Sequence, residues 1–409
     1  MWLTVAAYMI TYMDRVVISA AVPSIRQEFG FDLTTMGAIL ASFRWGYALF
    51  QIPGGWLGDV MGPRKALTLV VTWWSVFTSI TAASWNAGSM MAFRFLFGVG
   101  EAGAFPIATR SLSRWMLPTE RGWAQGVTHA GSRLGAAFTP PIVVFLITGY
   151  GWRTPFFVFG ALGLIWATVW FAYYRDLPQQ HRSVNQAELE LIQRNTPARA
   201  VGTKAVVPWR AILTNSNVWT LCAMYFCYGY CLAVYLDWFP TYLNSHRGFD
   251  LKKMGFYASL PLFAGTLGDL LGGWASDRIG ERTGNLRMAR KVVAITGFLI
   301  AAASILPATF TKDPYISVLF SCIALFGLEL TVGVSWAVPL DVGGDFAGSV
   351  SSVMNTCGNI GGAISPTLLA YLVNAYGWDR PFVVASALCL AAALLFARID
   401  ASKQILARE

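Results

Sequence analysis

The sequence predicts an all-α polytopic membrane protein, with twelve transmembrane helices in two six-helix pseudo-symmetric halves. Three observations carry that expectation. Apolar runs of roughly 20 residues recur from end to end of the 409 residues, each long enough to cross a bilayer as a helix. Only 12% of the residues are charged and 56% are hydrophobic, where a soluble domain carries about 25% charged residues. A short element also repeats about half a chain apart, "GGWLGDVMGPRK" at 54–65 and "GGWASDRIGERTG" at 272–284.

Taken in order, the first six spans are expected at about 2–22, 35–57, 66–85, 88–108, 122–148 and 153–174. The second six are expected at about 216–243, 252–275, 289–309, 313–339, 347–375 and 379–397. Several exceed the minimum crossing length, which implies tilt or kinks. A polar stretch separates the two sets. It contains "YYRDLPQQHRSVNQAELELIQRNTP", whose prolines break helix and whose "NQAELELIQRN" reads as a short amphipathic helix. The organisation is therefore an N-terminal six-helix bundle at 1–174, a cytoplasmic linker at 175–215, a C-terminal six-helix bundle at 216–397 and a cytoplasmic tail at 398–409. Parallel repeats of this kind, related by an axis along the membrane normal, occur in a large class of secondary transporters.

The net charge of +9 does not point to nucleic acid. With both termini inside, most of the 30 Lys and Arg fall on the cytoplasmic side, which is the positive-inside pattern. Basic clusters beside helix ends face anionic lipid, so the bilayer itself is the expected partner. All six cysteines (Cys222, Cys227, Cys231, Cys322, Cys357 and Cys389) fall in apolar segments, where thiols pack as small hydrophobes. No metal site, cofactor or structural disulfide is expected. No cleavable signal pattern is visible, and the first span begins almost at Met1, which leaves open a cytoplasmic tail before it.

The repeated element has a physical rationale. Gly55 and Gly58 permit close helix approach. Asp59 sits at a helix end, and Arg64 and Lys65 follow the Gly62–Pro63 turn. A carboxylate that pairs with basic side chains or a helix N-terminus can latch the cytoplasmic side. Asp277, Arg278 and Gly280 stand in matching places in the second half. The competing reading is an ordinary charged turn that only sets topology.

An ionisable residue inside a span costs about 2.5–3.5 kcal/mol on insertion scales and usually marks function. The spans hold Asp14, Arg15, Arg44, Arg94, Glu101, Arg133, Asp269 and Glu329, with Asp237 and Asp341 nearer span ends. Arg94 and Glu101 in "RFLFGVGEAGAFP" are seven residues apart. They share a helix face but stand about 10.5 Å apart along it, too far for an ion pair within one helix. Each needs another partner, and Asp14 and Arg15 on the first helix are the obvious supply. A carboxyl in an apolar pocket favours its neutral form, which lets Glu101 take a proton from one side and release it on the other; a fixed structural salt bridge is the alternative. Arg15 and Arg94 provide fixed positive charge suited to a carboxylate. A cationic excess that includes Arg44 and Arg133 suits a dianion such as an aldarate, unless one of them pairs with Glu329 or Arg44 snorkels. His129 reads as a packing histidine, and Asp269 as a packing or gating carboxylate. Glu329 stays open between a second protonation site and a structural partner.

These stretches resemble the major facilitator superfamily over the whole chain. "GGWLGDVMGPRK" is similar to its loop 2–3 signature, with Val60 where a basic residue is usual, and "RFLFGVGEAGA" to its fourth-helix signature. "YMDRVVISAAVPSI", "YALFQIPGGWLGD", "RFLFGVGEAGAFP" and "LDWFPTYL" together look like the anion:cation symporter branch, which includes galactonate, glucarate and hexuronate transporters and sialin. The resemblance implies that Asp14 and Glu101 handle protons. It implies that Arg15, Tyr47, Arg94, Ser132, Trp336 and Asn355 line the substrate site, with Arg44, Arg133 and Glu329 as further candidates. Ser132 replaces an amide seen in some relatives. Asn355 has helix–helix hydrogen bonding as its alternative, and Trp336 an interfacial or core role. The expected function is a proton-coupled symporter that imports an organic anion, a sugar acid (aldonate, uronate or aldarate), by alternating access, with protons as coupling ion. It is placed in the cell inner (plasma) membrane, both termini cytoplasmic, as a monomer. An anion exchanger or uniporter of the same fold is the alternative. Three scattered histidines and the absence of H-E-x-x-H and G-x-S-x-G motifs argue against an enzyme.

Overall fold

A computed structural model of the protein describes residues 1–116, 121–195, 208–343 and 346–400. Every regular element among them is helical. The first half contains α1 (Trp2–Phe29), α2 (Leu33–Met61), α3 (Pro63–Thr81), α4 (Ala87–Glu101), α5 (Ala104–Trp115), α6 (Arg121–Tyr150) and α7 (Thr154–Tyr173). Two short helices follow, α8 (Gln186–Asn195) and α9 (Trp209–Thr214). The second half contains α10 (Ser216–Ala233), α11 (Phe239–Ser245), α12 (Leu251–Thr283), α13 (Leu286–Phe310), α14 (Pro314–Leu330), α15 (Val332–Gly343), α16 (Ala347–Tyr376) and α17 (Asp379–Arg398).

These helices account for the twelve expected spans, because three spans are each built from two helices. Span four is α4 with α5, span seven is α10 with α11, and span ten is α14 with α15. Among the described residues, eight helical stretches are long and apolar enough to cross a membrane by length and composition. The other four spans, α2, α3, α12 and α16, are helices of 29, 19, 33 and 30 residues. The amphipathic segment is α8, preceded by Asn185, whose side chain accepts from Glu188 N at 2.8 Å. Linker residues 196–207 and tail residues 401–409 lie outside the described residues.

Polar turns start the helices where sequence places short Asn and Asp side chains. Asn215, Asp250, Asn285 and Asp313 cap α10, α12, α13 and α14 by accepting first-turn amides. Asn86 and Ser89 form a reciprocal capping box at α4, with Ser89 N donating to Asn86 Oδ1 at 2.8 Å and Asn86 N to Ser89 Oγ at 3.1 Å. That box sets the start of the helix that carries Arg94 and Glu101.

The helix breaks have local causes. Pro106 in the first turn of α5 has no amide to offer the carbonyl of residue 102, so span four parts directly after Glu101. Pro240 does the same to residue 236, within the wide turn at Val234–Trp238 that joins α10 to α11. In span ten Thr331 separates α14 from α15, and its hydroxyl donates back to Leu328 O at 2.7 Å. Glu101 thus ends α4 and Glu329 is the next-to-last residue of α14, so both membrane glutamates sit at a break.

By Cα proximity the chain separates into two compact units. The first is Met1–Val17, Ser42–Ala136 and Leu146–Ala205. In it α3 packs on α4, α5 and α7 around Tyr8, Phe43, Tyr47, Leu67, Trp74, Phe97, Ile107 and Trp166. The second is Ile18–Ala41, Ala137–Phe145 and Val206–Glu409. In it α10 packs on α16 and α17, and α14 packs on α12 and α13. This unit also gathers pieces of α1, α2 and α6. Asn374 on α16 donates to Thr34 Oγ1 on α2 at 2.8 Å, and Phe138 on α6 meets Phe263 on α12 edge-on at 5.2 Å.

The repeated glycine element serves the breaks. A Cβ on Gly54 would stand 2.6 Å from Gly103 N, so α2 and the α4–α5 break cross backbone to backbone. In the second half Gly272 holds the same place in the element, and a Cβ there would run into the carbonyl of Leu330 at the α14–α15 break. Gly58 is also tight, with Ile107 Cγ1 2.7 Å from its would-be Cβ, whereas a Cβ on Gly55 would stand at an ordinary 3.6 Å from Pro106. The close approach therefore falls on Gly54 and Gly58 rather than on Gly55 and Gly58.

Candidate functional site

Within the first unit, α1, α2 and α4 bring the ionisable span residues together. Asp14, Arg94 and Glu101 are buried, at 0%, 1% and 0% exposure. Arg15 Nε on α1 donates to Glu101 Oε1 on α4 in an ion pair whose carboxylate is fully buried and whose cation is 15% exposed. Asp14, the neighbouring residue, accepts from Trp74 Nε1 on α3 at 3.2 Å and feels the charge of Arg94. Helix one thus supplies Glu101 with the cation that the seven-residue spacing on α4 denies it, and brings Asp14 within electrostatic reach of Arg94. Glu101 Oε2 and Asp14 Oδ1 remain buried without a hydrogen bond.

The walls are aromatic. The Arg15 guanidinium carbon lies 4.7 Å from the Tyr47 ring centre, 4.9 Å from Tyr12, 5.4 Å from Phe105 and 5.5 Å from Phe43. Arg94 lies 4.5 Å from Phe97 and 5.2 Å from Phe43. Such faces hold a guanidinium in place while excluding bulk water, which strengthens the ionic contacts inside. Arg133 on α6 reaches the Tyr12 ring at 5.6 Å, and Arg44 on α2 acts electrostatically on Glu101. His129, one turn before Arg133, packs edge-on to Tyr8 at 5.6 Å and stacks on Phe105 at 6.2 Å. Ser132 is buried, and its hydroxyl donates to His129 O at 2.6 Å within its own helix.

Tyr12, Phe43, Trp74, Phe97 and Phe105 were not singled out from sequence. Tyr12 and Arg15 are three apart on one helix, so that neighbour was accessible to a helical-face reading. Trp74 and Phe105 reach the site only by packing across helices. A cavity of about 510 Å³ in the same unit is lined by Trp2, Trp115, Trp170, Tyr174 and His181 among others, and none of the ionisable span residues lines it.

The remaining candidates belong to the second unit. Glu329 is 2% exposed and accepts from Tyr228 OH at 3.2 Å. Tyr228 stacks on Tyr225 at 5.0 Å, and Trp336 Nε1 donates to Tyr225 OH at 2.8 Å. Asn355 on α16 is half-buried, and its carbonyl accepts from Asn359 Nδ2 at 2.9 Å.

The basic and acidic residues at the ends of the repeated element are also placed. Arg64 donates through Nε and Nη2 to Phe171 O at 3.0 and 2.7 Å, and its amide donates to Asp176 Oδ1 at 3.0 Å. Asp176 also pairs with Arg114 at 3.1 Å, so it ties the start of α3 to α5. Lys65 is exposed. Asp59 lies in α2, but its side chain is outside the described residues. In the second half Arg290 pairs with Asp277 at 3.1 Å and with Asp341 at 3.3 Å, which joins α12, α13 and α15. Arg278 meets Glu281 on its own helix at 3.2 Å. Asp176, Arg114, Arg290 and Asp341 were not anticipated in this role, because none lies in the repeated stretch.

Twelve spans in two repeats, glycine crossings at matched breaks and a buried cationic site are the frame in which the sequence comparisons stand. The family model described as Major Facilitator Superfamily matches residues 4–366. The chain belongs to the major facilitator superfamily. It is 42% identical over 382 residues to the "Probable sulfoacetate transporter SauU" of Cupriavidus necator, covering 93% of this chain and 88% of that one. It is 30% identical over 397 residues to the "D-galactonate transporter" of Escherichia coli, covering 95% and 91%. Among solved structures, an inward-facing bacterial homolog of the human lysosomal transporter Spinster superposes with a TM-score of 0.79 at 18% identity, covering 97% and 95%. The superfamily fold is thereby shown, and with it a multi-pass membrane transporter of the group that contains bacterial organic-anion carriers.

Proposed function

We propose that the protein is a proton-coupled symporter, not an enzyme, that imports a small organic anion across the inner membrane by alternating access, with both termini cytoplasmic. The observation that carries this reading is the Arg15–Glu101 ion pair, set in a buried aromatic site beside Asp14 and Arg94. The relatives named for sulfoacetate and for D-galactonate support an organic acid, including sugar acids, as cargo.

The chemistry follows from competition for one guanidinium. Ionised Glu101 occupies the Nε side of Arg15. A proton on Glu101 cancels that attraction and frees the fork of Arg15 for a carboxylate or sulfonate. Anion and proton thus enter the site together. Asp14, hydrogen-bonded to Trp74 and next to Arg94, supplies a second proton position. Moving one negative charge into an inside-negative cell costs about 2.3 kcal/mol per 100 mV, which one proton cancels and a second turns into a driving force. Cargo binding shifts the inward and outward states only through its different affinity for each.

Proteoliposomes test this. Glu101→Gln is expected to abolish accumulation driven by a pH gradient while counterflow exchange persists. Full pH-driven accumulation by that variant removes Glu101 from coupling. An exchanger or uniporter would move cargo with no accompanying proton flux, so a pH-sensitive dye inside the vesicles separates those modes.

A further inference from the structure

Asp14 and Glu101 are both fully buried, but they are held by different kinds of partner. Glu101 is held by a cation, whereas Asp14 Oδ2 accepts from the indole N–H of Trp74 at 3.2 Å. Trp74 and Thr78 are four residues apart on α3, so they share a helix face, and both act on the Asp14 carboxyl. Neither has any exposed surface. Thr78 also behaves unlike threonines elsewhere in this unit. Thr11, Thr68, Thr81 and Thr128 each donate to the carbonyl four residues earlier, at 2.6 to 2.8 Å. Thr78 Oγ1 makes no hydrogen bond among the described residues, and neither does Asp14 Oδ1. The hydroxyl that a helix commonly ties to its own backbone is here left for the carboxyl.

We propose that Trp74 and Thr78 are positioning residues for proton coupling: Trp74 keeps Asp14 Oδ2 for its N–H and directs the proton to Oδ1, beside Thr78. The inference rests on the symport reading above and names the residues that serve its second proton. An indole nitrogen only donates, so a proton on Oδ2 would be set against the N–H of Trp74. A hydroxyl both donates and accepts. Thr78 donates to Oδ1 while Asp14 is ionised and turns to accept the new O–H once the proton has bound. Each carboxyl oxygen then has a partner in both states, and proton uptake requires only the rotation of one hydroxyl. The charged groups that act on Asp14 are Glu101 and Arg94, both on α4, while Arg15, next along α1, is engaged with Glu101. The α3 pair therefore sets the pH at which Asp14 fills, separately from the contest for Arg15.

Infrared titration of the purified full-length protein tests this without any cargo. The carboxyl band that Asp14→Asn removes reports protonated Asp14. Trp74→Phe keeps an aromatic ring and loses the donor, so the pH midpoint of that band is expected to rise by about one unit, the difference between a charge-assisted and a neutral hydrogen bond. Thr78→Val is expected to move the band to higher frequency, because the carboxyl O–H loses its acceptor, and Thr78→Ser to restore the wild-type frequency. An unchanged midpoint in Trp74→Phe overturns the role of Trp74, and an unchanged frequency in Thr78→Val overturns that of Thr78. The absence of any titrating band that belongs to Asp14 overturns both. Should Trp74→Phe fail to fold, the two Thr78 variants decide whether the proton lies on Oδ1. Wild-type proteoliposomes in which neither D-galactonate nor sulfoacetate moves with protons overturn the symport reading, and the infrared result still decides the α3 pair.

Discussion

On the proposed mechanism, replacing Glu101 with Gln keeps the shape of the site and removes one charge from the Arg15 contact for which cargo competes. Charge-assisted hydrogen bonds contribute about 1.5–3 kcal/mol and neutral ones about 0.5–1.5 kcal/mol. The amide therefore holds Arg15 less firmly by roughly 1–1.5 kcal/mol, which frees the cation for the anion and raises apparent affinity about tenfold near neutral pH. In that mechanism anion binding and protonation of Glu101 favour each other by linkage. Affinity of the wild type accordingly rises as pH falls, by up to about tenfold per unit where one proton is taken up. In the Gln variant the Glu101 share of that slope disappears. Calorimetric titration at several pH values between about 5.5 and 8 measures both quantities. A wild-type affinity that does not change with pH refutes the competition, as does a Gln variant that binds more weakly with its slope intact.

Three further outcomes follow from the geometry. Gly54→Val drives a side chain against the backbone of Gly103, so thermal stability in detergent is expected to fall by about 1–3 kcal/mol, whereas Gly55→Ala, with Pro106 at 3.6 Å, leaves it nearly unchanged. Arg290→Ala leaves Asp341, whose side chain is 17% exposed, without its cation and costs about 1–3 kcal/mol, while Arg278→Ala breaks only an exposed pair worth about 0–1 kcal/mol; denaturation of the two variants side by side ranks them. The amide of Thr35 bonds Asp32 Oδ1 at 2.8 Å and, with the Thr35 side chain, holds the Asp32 carboxyl below its usual range. That cap stabilises α2 fully above the unfolded value near pH 4 and loses its effect as pH falls through the lower folded value. The stability gap between wild type and Asp32→Asn is therefore expected to be constant from pH 5 upward and to narrow only in stronger acid, as read by thermal shift.

Much of the fold was legible because membrane insertion is a local property. A run such as 154–173 reveals a helix by length and apolarity alone. The helix breaks were harder to read. Pro106 and Pro240 stand in plain view, but a proline inside a span can bend a helix without parting it. The tight crossing at Gly54 was assigned one residue late, since two adjacent glycines look alike until the face of the helix is known. The polar network around Asp176 and Arg290 was missed for a different reason. Its members are 112 and 62 residues apart in one case and 13 and 51 in the other, and no local pattern joins them.

Sequence alone set Arg94 and Glu101 too far apart for a simple ion pair within one helix, because the rise of an α-helix puts seven residues at about 10.5 Å. It also settled that each needed a partner from another helix, since an isolated charge in a span is too costly to keep. Which partner each one takes was decided by tertiary structure. Asp14 and Arg15 are adjacent on α1 and point to different sides of it, so the packing of α1 against α3 and α4 sends Arg15 to Glu101 and Asp14 to Trp74. The same packing, and not any spacing along the chain, brings Arg133 and Arg15 to the same Tyr12 ring.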